Sequence, residues 1–162
     1  MDAVMGVAAY GQAVAILRQE LDSMVRVMYL LSLSDHAARS TLVASLVNGV
    51  VMRHANGKRV TDKEMVDLGQ ILHGWAKSVY QFGCSFIHLS SFHDWNHRNP
   101  LDLLSTEERR QVMDHMRYYH GGPSGDKPTF QEFATFLPRV LGKIAGNLGC
   151  YLDHLENGED LE

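Results

Sequence analysis

Apolar residues recur every three or four positions along nearly the whole chain, and no segment shows the strict alternation of a half-buried strand. In the first predicted helix, from about Ala3 to Leu31, the expected buried stripe consists of Val7, Val14, Leu17, Leu21, Val25 and Met28. Further helices are predicted from about Ala37 to His54, from about Asp62 to His93, from Ser105 to Gly121, and from Thr129 through Leu155. The chain is therefore expected to be an all-α, antiparallel bundle of about five helices.

Capping boxes mark the starts of the last three helices. In this motif a Ser or Thr side chain bonds to the backbone of a Glu three positions later, and that Glu bonds back. The pairs are Thr61 and Glu64, Ser105 and Glu108, and Thr129 and Glu132. Pro138 lies inside the fifth helix, which it is expected to kink because it lacks a backbone donor.

Small residues follow the helical pattern as well. Gly69, Ala76, Gly83 and Ser90 recur every seven positions in the third helix, and Gly142, Gly146 and Gly149 lie in the fifth. A glycine inside a helix costs roughly 0.5–1 kcal/mol relative to alanine, so these positions need an offsetting gain. We expect close approach of a neighbouring helix, within the bundle or across a dimer. A ligand or an RNA backbone lying against the glycines is the alternative.

The charge balance limits the kinds of partner. The 162 residues carry 15 basic and 19 acidic side chains, a net charge of −4. This argues against a protein that coats nucleic acid through many Lys and Arg contacts, and no DNA partner is expected. A compact site that cleaves RNA remains compatible with this balance.

Length and cysteine content point to an ordinary cytoplasmic domain. A single domain is expected over residues 1–160, with Leu161-Glu162 as a candidate remnant of a cloning tag. Cys84 and Cys150 lack Cys-x-x-Cys spacing, so they are interpreted as reduced thiols. The uncharged part of the N-terminus, Ala3 to Leu17, is too short to span a bilayer, so no membrane association is expected.

The segment from Trp75 to His97 carries the first candidate chemistry. His93 falls on the same helical line as Trp75, Val79, Phe82, Phe86 and Leu89, so its ring is directed towards the interior. It is either a core histidine bonded to a backbone carbonyl or to Asp94, or a catalytic acid–base. A third hypothesis is a mononuclear metal site formed by His93, His97 and a residue of another helix such as His120.

Helices one and four contain charged residues at helical spacing. Arg18, Asp22 and Arg26 follow one another at four-residue steps on the first helix. They form either a solvated ladder of ion pairs or a face from which one arginine meets helix three and binds a phosphate. Helix four holds Arg109, Arg110, Asp114, His115, Arg117 and His120, most of which are expected at the surface.

These features together resemble the HEPN superfamily. The resemblance covers roughly residues 13 to 155 and consists of the helical architecture, the R-x3-D-x3-R run from Arg18 to Arg26, and the S-x2-H element at Ser90 and His93. The resemblance implies a small dimeric bundle, and many members are metal-independent ribonucleases of defence and toxin–antitoxin systems. The R-x4–6-H signature of the family is matched only by Arg110 or Arg109 with His115.

The resemblance implies a mechanism without cofactor or metal. His93 or His115 would transfer the proton of the 2′-hydroxyl or of the leaving 5′-oxygen, and Arg110 or Arg26 would stabilise charge on the phosphate. No arginine precedes His93 at the signature spacing. The alternative is therefore a non-catalytic, dimeric helical module that binds a cognate protein partner, in which His93 belongs to a buried joint at the end of helix three. A metal-binding bundle is the third hypothesis.

Overall fold

The computed structural model describes residues 10–88 and 99–161. Within these ranges the helices are α1 (Tyr10–Leu31), α2 (His36–Val47), α3 (Asp62–His73), α4 (Ala76–His88), α5 (Thr106–His120), α6 (Phe130–Ala134) and α7 (Leu137–Glu156). A short 3-10 turn occupies Pro100–Leu103, and the sole β pairing in the described ranges is an isolated bridge between Arg53 and Arg59. The predicted all-α class is confirmed.

All three predicted capping boxes are present, at the starts of α3, α5 and α6. In the first box the Thr61 backbone N–H donates to Glu64 Oε2 at 2.7 Å, and the Glu64 N–H donates to Thr61 Oγ1 at 3.3 Å. The motif works because both residues are close in sequence and supply partners to donors that a helix start leaves unsatisfied. A purely local pattern therefore predicts these boundaries correctly.

The second helix is shorter than predicted, since α2 ends at Val47 instead of His54. Asn48 caps it, and Gly49 adopts a φ of +74° that turns the chain away from the helix axis. Such a conformation is natural for glycine and strained for other residues. The Asn48-Gly49 pair is the sequence signal that marks this end.

The third predicted helix is broken at Gly74, whose φ is +69°. The Gln70 side chain bridges the break, because its Nε2 donates to Gly74 O at 2.9 Å and its Oε1 accepts from the Lys77 N–H at 3.0 Å. One helix from Asp62 to His93 was therefore the wrong prediction. The structure has α3 and α4 over this stretch, and residues 89–98 lie outside the described ranges.

The fifth helix was predicted as one kinked helix from Thr129 through Leu155, whereas the structure divides it into α6 and α7 just before Pro138. α7 begins at Leu137, so Pro138 occupies its first turn, where a missing N–H leaves no helical bond unmade. Helix one begins at Tyr10 in the described chain, and the predicted residues Ala3 to Ala9 lie outside it.

Contacts divide the chain into two compact units. In the described ranges, unit 1 comprises residues 10–21, 78–88 and 99–144, whereas unit 2 comprises residues 22–77 and 145–161. The prediction of a single domain over residues 1–160 stays a prediction. The core of unit 1 includes Val14, Leu17, Leu101, Phe133 and Ile144, all at most 2% exposed. The core of unit 2 includes Met24, Val25, Met28, Met65 and Trp75, exposed to the same small extent.

A buried arginine fastens the C-terminal segment of unit 2. Arg39 is 4% exposed, and its guanidinium donates to the backbone oxygens of Leu31 at 3.3 Å, Leu33 at 2.7 Å and Glu159 at 2.6 Å. It also pairs with the Asp160 carboxylate. Because a buried cation needs such partners, this arginine ties the end of α1 and the start of α2 to the segment after α7.

Glycine positions in α3 and α4 meet close neighbours, as predicted. A Cβ on Gly83 would lie 2.8 Å from Arg18 Cδ, and one on Gly69 would lie 3.3 Å from Ala76 Cβ and from Val25 Cγ1. The prediction is wrong inside the chain for Gly142, Gly146 and Gly149. Those glycines are surrounded by open space within 4 Å among the described residues, and packing across a dimer stays a prediction. Ser90 lies outside the described residues.

Replacing Gly83 by alanine is expected to destabilise the protein by about 1–3 kcal/mol, because the new methyl group overlaps both Cβ and Cδ of Arg18. The matched change Gly146→Ala adds a methyl group in open space and should stabilise α7 by roughly 0.5–1 kcal/mol. Urea unfolding followed by circular dichroism measures both. Equal effects of the two substitutions would contradict the packing described.

Candidate functional site

A short basic hairpin connects α2 to α3. The Val60 N–H donates to Met52 O at 3.0 Å, and the His54 N–H donates to Lys58 O at 2.8 Å. Gly57, with a φ of +80°, forms the tip. We call residues 52–60 the basic hairpin. The hairpin and the first turn of α3 contain four exposed basic residues, Arg53, Lys58, Arg59 and Lys63.

A histidine and a carboxylate hold this hairpin in place. His54 Nδ1 lies 3.3 Å from the Tyr29 hydroxyl of α1, and His54 Nε2 lies 3.5 Å from Glu64 Oε1 of α3. The bond from the Thr61 backbone N–H holds the pKa of Glu64 below its usual value, and His54 adds to this effect. Burial raises the pKa of Tyr29, and the Glu64 charge adds to the rise. The hairpin is thus pinned between two helices.

A cavity of about 230 Å³ lies beside the basic hairpin within unit 2. We call it the Arg26–Arg59 pocket. It is lined by Arg26, Leu46, Gly49, Val50, Val51, Met52, Arg59, Val60, Asp62 and Met65. The lining therefore combines an aliphatic wall with two arginines and one carboxylate. It is formed by α1, the end of α2, the hairpin and the start of α3.

The two arginines of this pocket are available to a ligand. Both side chains are exposed, and neither makes a hydrogen bond or an ion pair within the described ranges. Arg53 differs, because its guanidinium donates to Gly57 O at 2.9 Å inside the hairpin. Arg26 was one of the residues expected to contact phosphate, and the structure places it here. Arg59 was not singled out, although the density of basic residues from Arg53 to Lys63 is a signal for it.

Apolar side chains continue from the pocket onto the surface. Val50 is 54% exposed and Val51 is 47% exposed, while Val47 at the end of α2 is 82% exposed. Single exposed apolar residues are ordinary, but a cluster beside a pocket is typical of an interaction surface. The predicted helix from Ala37 to His54 included all three valines, whereas the turn at Gly49 leaves Val50 and Val51 outside α2.

Arg110 does not meet His115, although the two match the R-x4–6-H spacing. Five residues of helix correspond to a rotation of about 140°, so their side chains leave α5 in different directions. Arg110 is exposed and pairs with Glu107 at 2.6 Å and with Asp114 at 3.0 Å, whereas His115 is buried. Arg109 pairs with Asp102 at 2.6 Å.

His115 and His120 form a buried pair in unit 1, with ring centroids 5.3 Å apart. Burial, together with His120 and Lys143, lowers the pKa of His115 to about 4. Burial, Lys143 and Arg139 also lower the pKa of His120. Lys143 Nζ lies 3.6 Å from the Tyr119 ring centroid, and Arg139 donates to His120 O at 2.7 Å. The cavity beside His115 holds only about 20 Å³, which is roughly the room that one water needs.

Arg18 is buried in unit 1 instead of solvated. Its guanidinium lies 3.8 Å from the ring centroid of Tyr80 on α4, so it is the arginine of helix one that faces the predicted helix three. A guanidinium over an aromatic face is stabilised by the ring quadrupole.

The remaining candidates fall outside the described chain. His93 and His97 lie among residues 89–98, so the predicted acid–base and the metal set with His120 stay predictions. Among the described residues no three His, Cys, Asp or Glu side chains are grouped to hold a metal ion. Within the same ranges no helix has the length and the apolar run needed to cross a membrane.

Comparison with known proteins adds no relative. Profiles of protein families, characterised proteins and solved structures all gave no match to this chain. The similarity to the HEPN superfamily therefore stays a prediction from short motifs and architecture.

Acid is expected to destabilise the protein through His115. The folded pKa is about 4 and the ordinary value is 6.5, so the folded state binds fewer protons between these values. The contribution of this residue is thus complete above pH 6.5 and is lost as the pH falls towards 4, on the order of 3 kcal/mol in all.

Urea unfolding at a series of pH values from 7 to 4 measures this effect, and the His115→Leu variant should show a flatter decline than the wild type. Superimposable pH profiles for the two proteins would show that His115 does not titrate as described.

Proposed function

We propose that this chain is a helical module that binds a protein partner at the Arg26–Arg59 pocket. The proposal depends on one observation: two arginines that make no hydrogen bond or ion pair with other described residues border a pocket whose wall is aliphatic. Exposed valines and guanidinium groups that have no partner among the described residues are available for contacts with another molecule. Binding would bury the valines and pair the arginines.

The lining favours binding over bond cleavage. Its residues include no imidazole, thiol or hydroxyl group, and Asp62 is the one carboxylate among them. General acid–base chemistry at neutral pH needs a group that titrates near 7, and a nucleophilic mechanism needs an activated oxygen, nitrogen or sulfur. The available chemistry of the pocket is charge pairing and apolar contact.

Homodimer formation belongs to the same proposal. The exposed glycines of α7, at positions 142, 146 and 149, leave a face on which a second helix could approach closely. A dimer of binding modules would present two pockets, and this arrangement agrees with the expected HEPN-like architecture.

Charge reversal tests the proposed function. The double variant Arg26→Glu with Arg59→Glu should lose its partner in affinity capture from a lysate of the source organism, quantified by mass spectrometry. The variant Lys77→Glu with Lys127→Glu changes the net charge equally at exposed residues outside the pocket lining, and it should retain the partner. Identical protein lists for both variants would refute the proposal.

RNA cleavage without metal is the second candidate function. It is favoured by the two neighbouring imidazoles of unit 1, which lie next to the cationic side chains of Lys143 and Arg139. Proton transfer beside positive charge is the chemistry that RNA transesterification needs. Our proposal nevertheless ranks it second, since both rings are buried and the adjacent cavity admits no nucleotide.

A denaturing-gel assay of total RNA in the presence of EDTA decides between the two functions. Intact RNA is expected for the wild type. Cleavage that survives EDTA and disappears in a folded His115→Ala or His93→Ala variant would establish the ribonuclease and displace the binding module.

A further inference from the structure

We infer that the Arg26–Arg59 pocket recognises an acidic segment of the partner protein in which one apolar side chain is flanked by carboxylates. This inference rests on the proposed function and specifies the chemistry of the occupant. It follows from the volume of the pocket, from the distribution of charge around it and from the groups that its lining lacks.

The volume fits one side chain of moderate size. An apolar cavity of about 150 Å³ accommodates a benzene ring, so 230 Å³ has room for a leucine or phenylalanine side chain and part of its backbone. Leu46, Met52, Val60 and Met65 supply the apolar wall for that side chain. A concave site of this kind selects a protruding group more strongly than a flat surface does.

The charge around the pocket is opposite to that of the whole chain. Acidic side chains outnumber basic ones by 19 to 15 overall, whereas the segment from Arg53 to Lys63 contains four Lys or Arg and one Asp. Glu64, which follows it, is engaged by Thr61 and His54. Arg26 and Arg59 can therefore pair with carboxylates of a ligand, and guanidinium groups bind carboxylates with two parallel hydrogen bonds.

Asp62 distinguishes a peptide from a purely anionic ligand. It is the acidic member of the lining, and its carboxylate can accept a hydrogen bond from a backbone N–H. The same carboxylate repels a phosphate placed beside it. A peptide offers both donors and carboxylates, so it satisfies the mixed charge of this lining better than a phosphodiester does.

Among the described residues, the lining also lacks the aromatic rings on which many proteins stack the bases of single-stranded RNA. Proteins that bind such RNA stack the bases on aromatic rings or on arginine planes. The pocket is lined by aliphatic residues, glycine, two arginines and one aspartate, without an aromatic ring. The valines at 47, 50 and 51 likewise offer apolar contact and no stacking platform.

Fluorescence polarisation with short labelled peptides tests the inference. The probe is Glu-Glu-Leu-Glu-Glu, compared with a peptide in which Ser replaces Leu and one in which Lys replaces every Glu. The wild type should bind the probe at least about tenfold more tightly than either comparison peptide. Arg26→Gln with Arg59→Gln should weaken probe binding about tenfold or more, while Lys77→Gln with Lys127→Gln, at exposed residues outside the lining, should leave it unchanged.

Several outcomes would overturn the inference. If the Ser peptide bound as tightly as the probe, recognition would depend on charge alone. If the probe did not bind, the inferred preference for an acidic peptide with one apolar side chain would be wrong. A uridine oligonucleotide or phosphatidylglycerol vesicles could bind more tightly than the probe and require both arginines. The ligand of the pocket would then be RNA or a lipid surface instead of a peptide. Self-association that competes with the probe and requires both arginines would make a second copy of the chain the occupant.

The affinity capture and the fluorescence polarisation assay distinguish failure of the proposed function from failure of the inferred peptide chemistry. If the capture experiment shows a partner that depends on Arg26 and Arg59 but the probe does not bind, the proposed function stands and the peptide chemistry is wrong. If the probe binds but no partner depends on the arginines, the pocket has the inferred selectivity without serving the proposed function. Circular dichroism of each variant confirms that it is folded, which is expected because the substituted side chains are exposed.

Discussion

The carboxylate of Glu64 connects the local and the tertiary structure of unit 2. One of its oxygens completes the capping box at the start of α3, and the other faces His54 of the basic hairpin. A capping interaction is worth about 1 kcal/mol on its own. In this protein the capping interaction also orients the Glu64 carboxylate towards His54 of the basic hairpin. The position of Arg59 in the hairpin therefore depends on how α3 begins, and so does the Arg26–Arg59 pocket.

Several polar side chains are buried in the described chain. Three of them, Arg18, His115 and His120, were candidate functional residues in the sequence. Arg18 covers Tyr80 and packs against Gly83, and Arg39 bonds four oxygens. His115 and His120 are held neutral by burial and by neighbouring cations. In contrast, the arginines of the pocket are exposed and make no hydrogen bond or ion pair in the part of the chain that the structure describes. What distinguishes the pocket arginines from these buried groups is thus their exposure, which leaves their guanidinium donors accessible to a ligand.

Local signals in the sequence predict where three of the helices start, whereas the break at Gly74 and the lining of the pocket depend on the tertiary arrangement. The capping boxes at Thr61, Ser105 and Thr129 involve residues three positions apart, so no knowledge of the fold is needed to recognise them. The break at Gly74 interrupts an apolar pattern that continues on both sides, and periodicity alone cannot detect it.

The candidate site escaped prediction for a related reason. Its lining combines Arg26 of α1 with residues between Leu46 and Met65, which belong to α2, the basic hairpin, α3 and the turns between them. Arg26 was recognised because it belongs to a helical ladder, but its partner Arg59 lies in a hairpin that the pattern assigned to a loop. Spacing rules apply within one element, whereas the pairing of these arginines depends on how the elements pack.

The partners of Arg39 have a consequence for the order in which the protein can fold during synthesis. Its guanidinium waits for the Glu159 carbonyl, which is 120 positions later in the chain. At a translation rate of about 5–20 residues per second, the ribosome needs roughly 6–24 s to supply that acceptor. Until then α1 and α2 hold a cation with only part of its coordination, so unit 2 is completed only after the segment that follows α7 has been made.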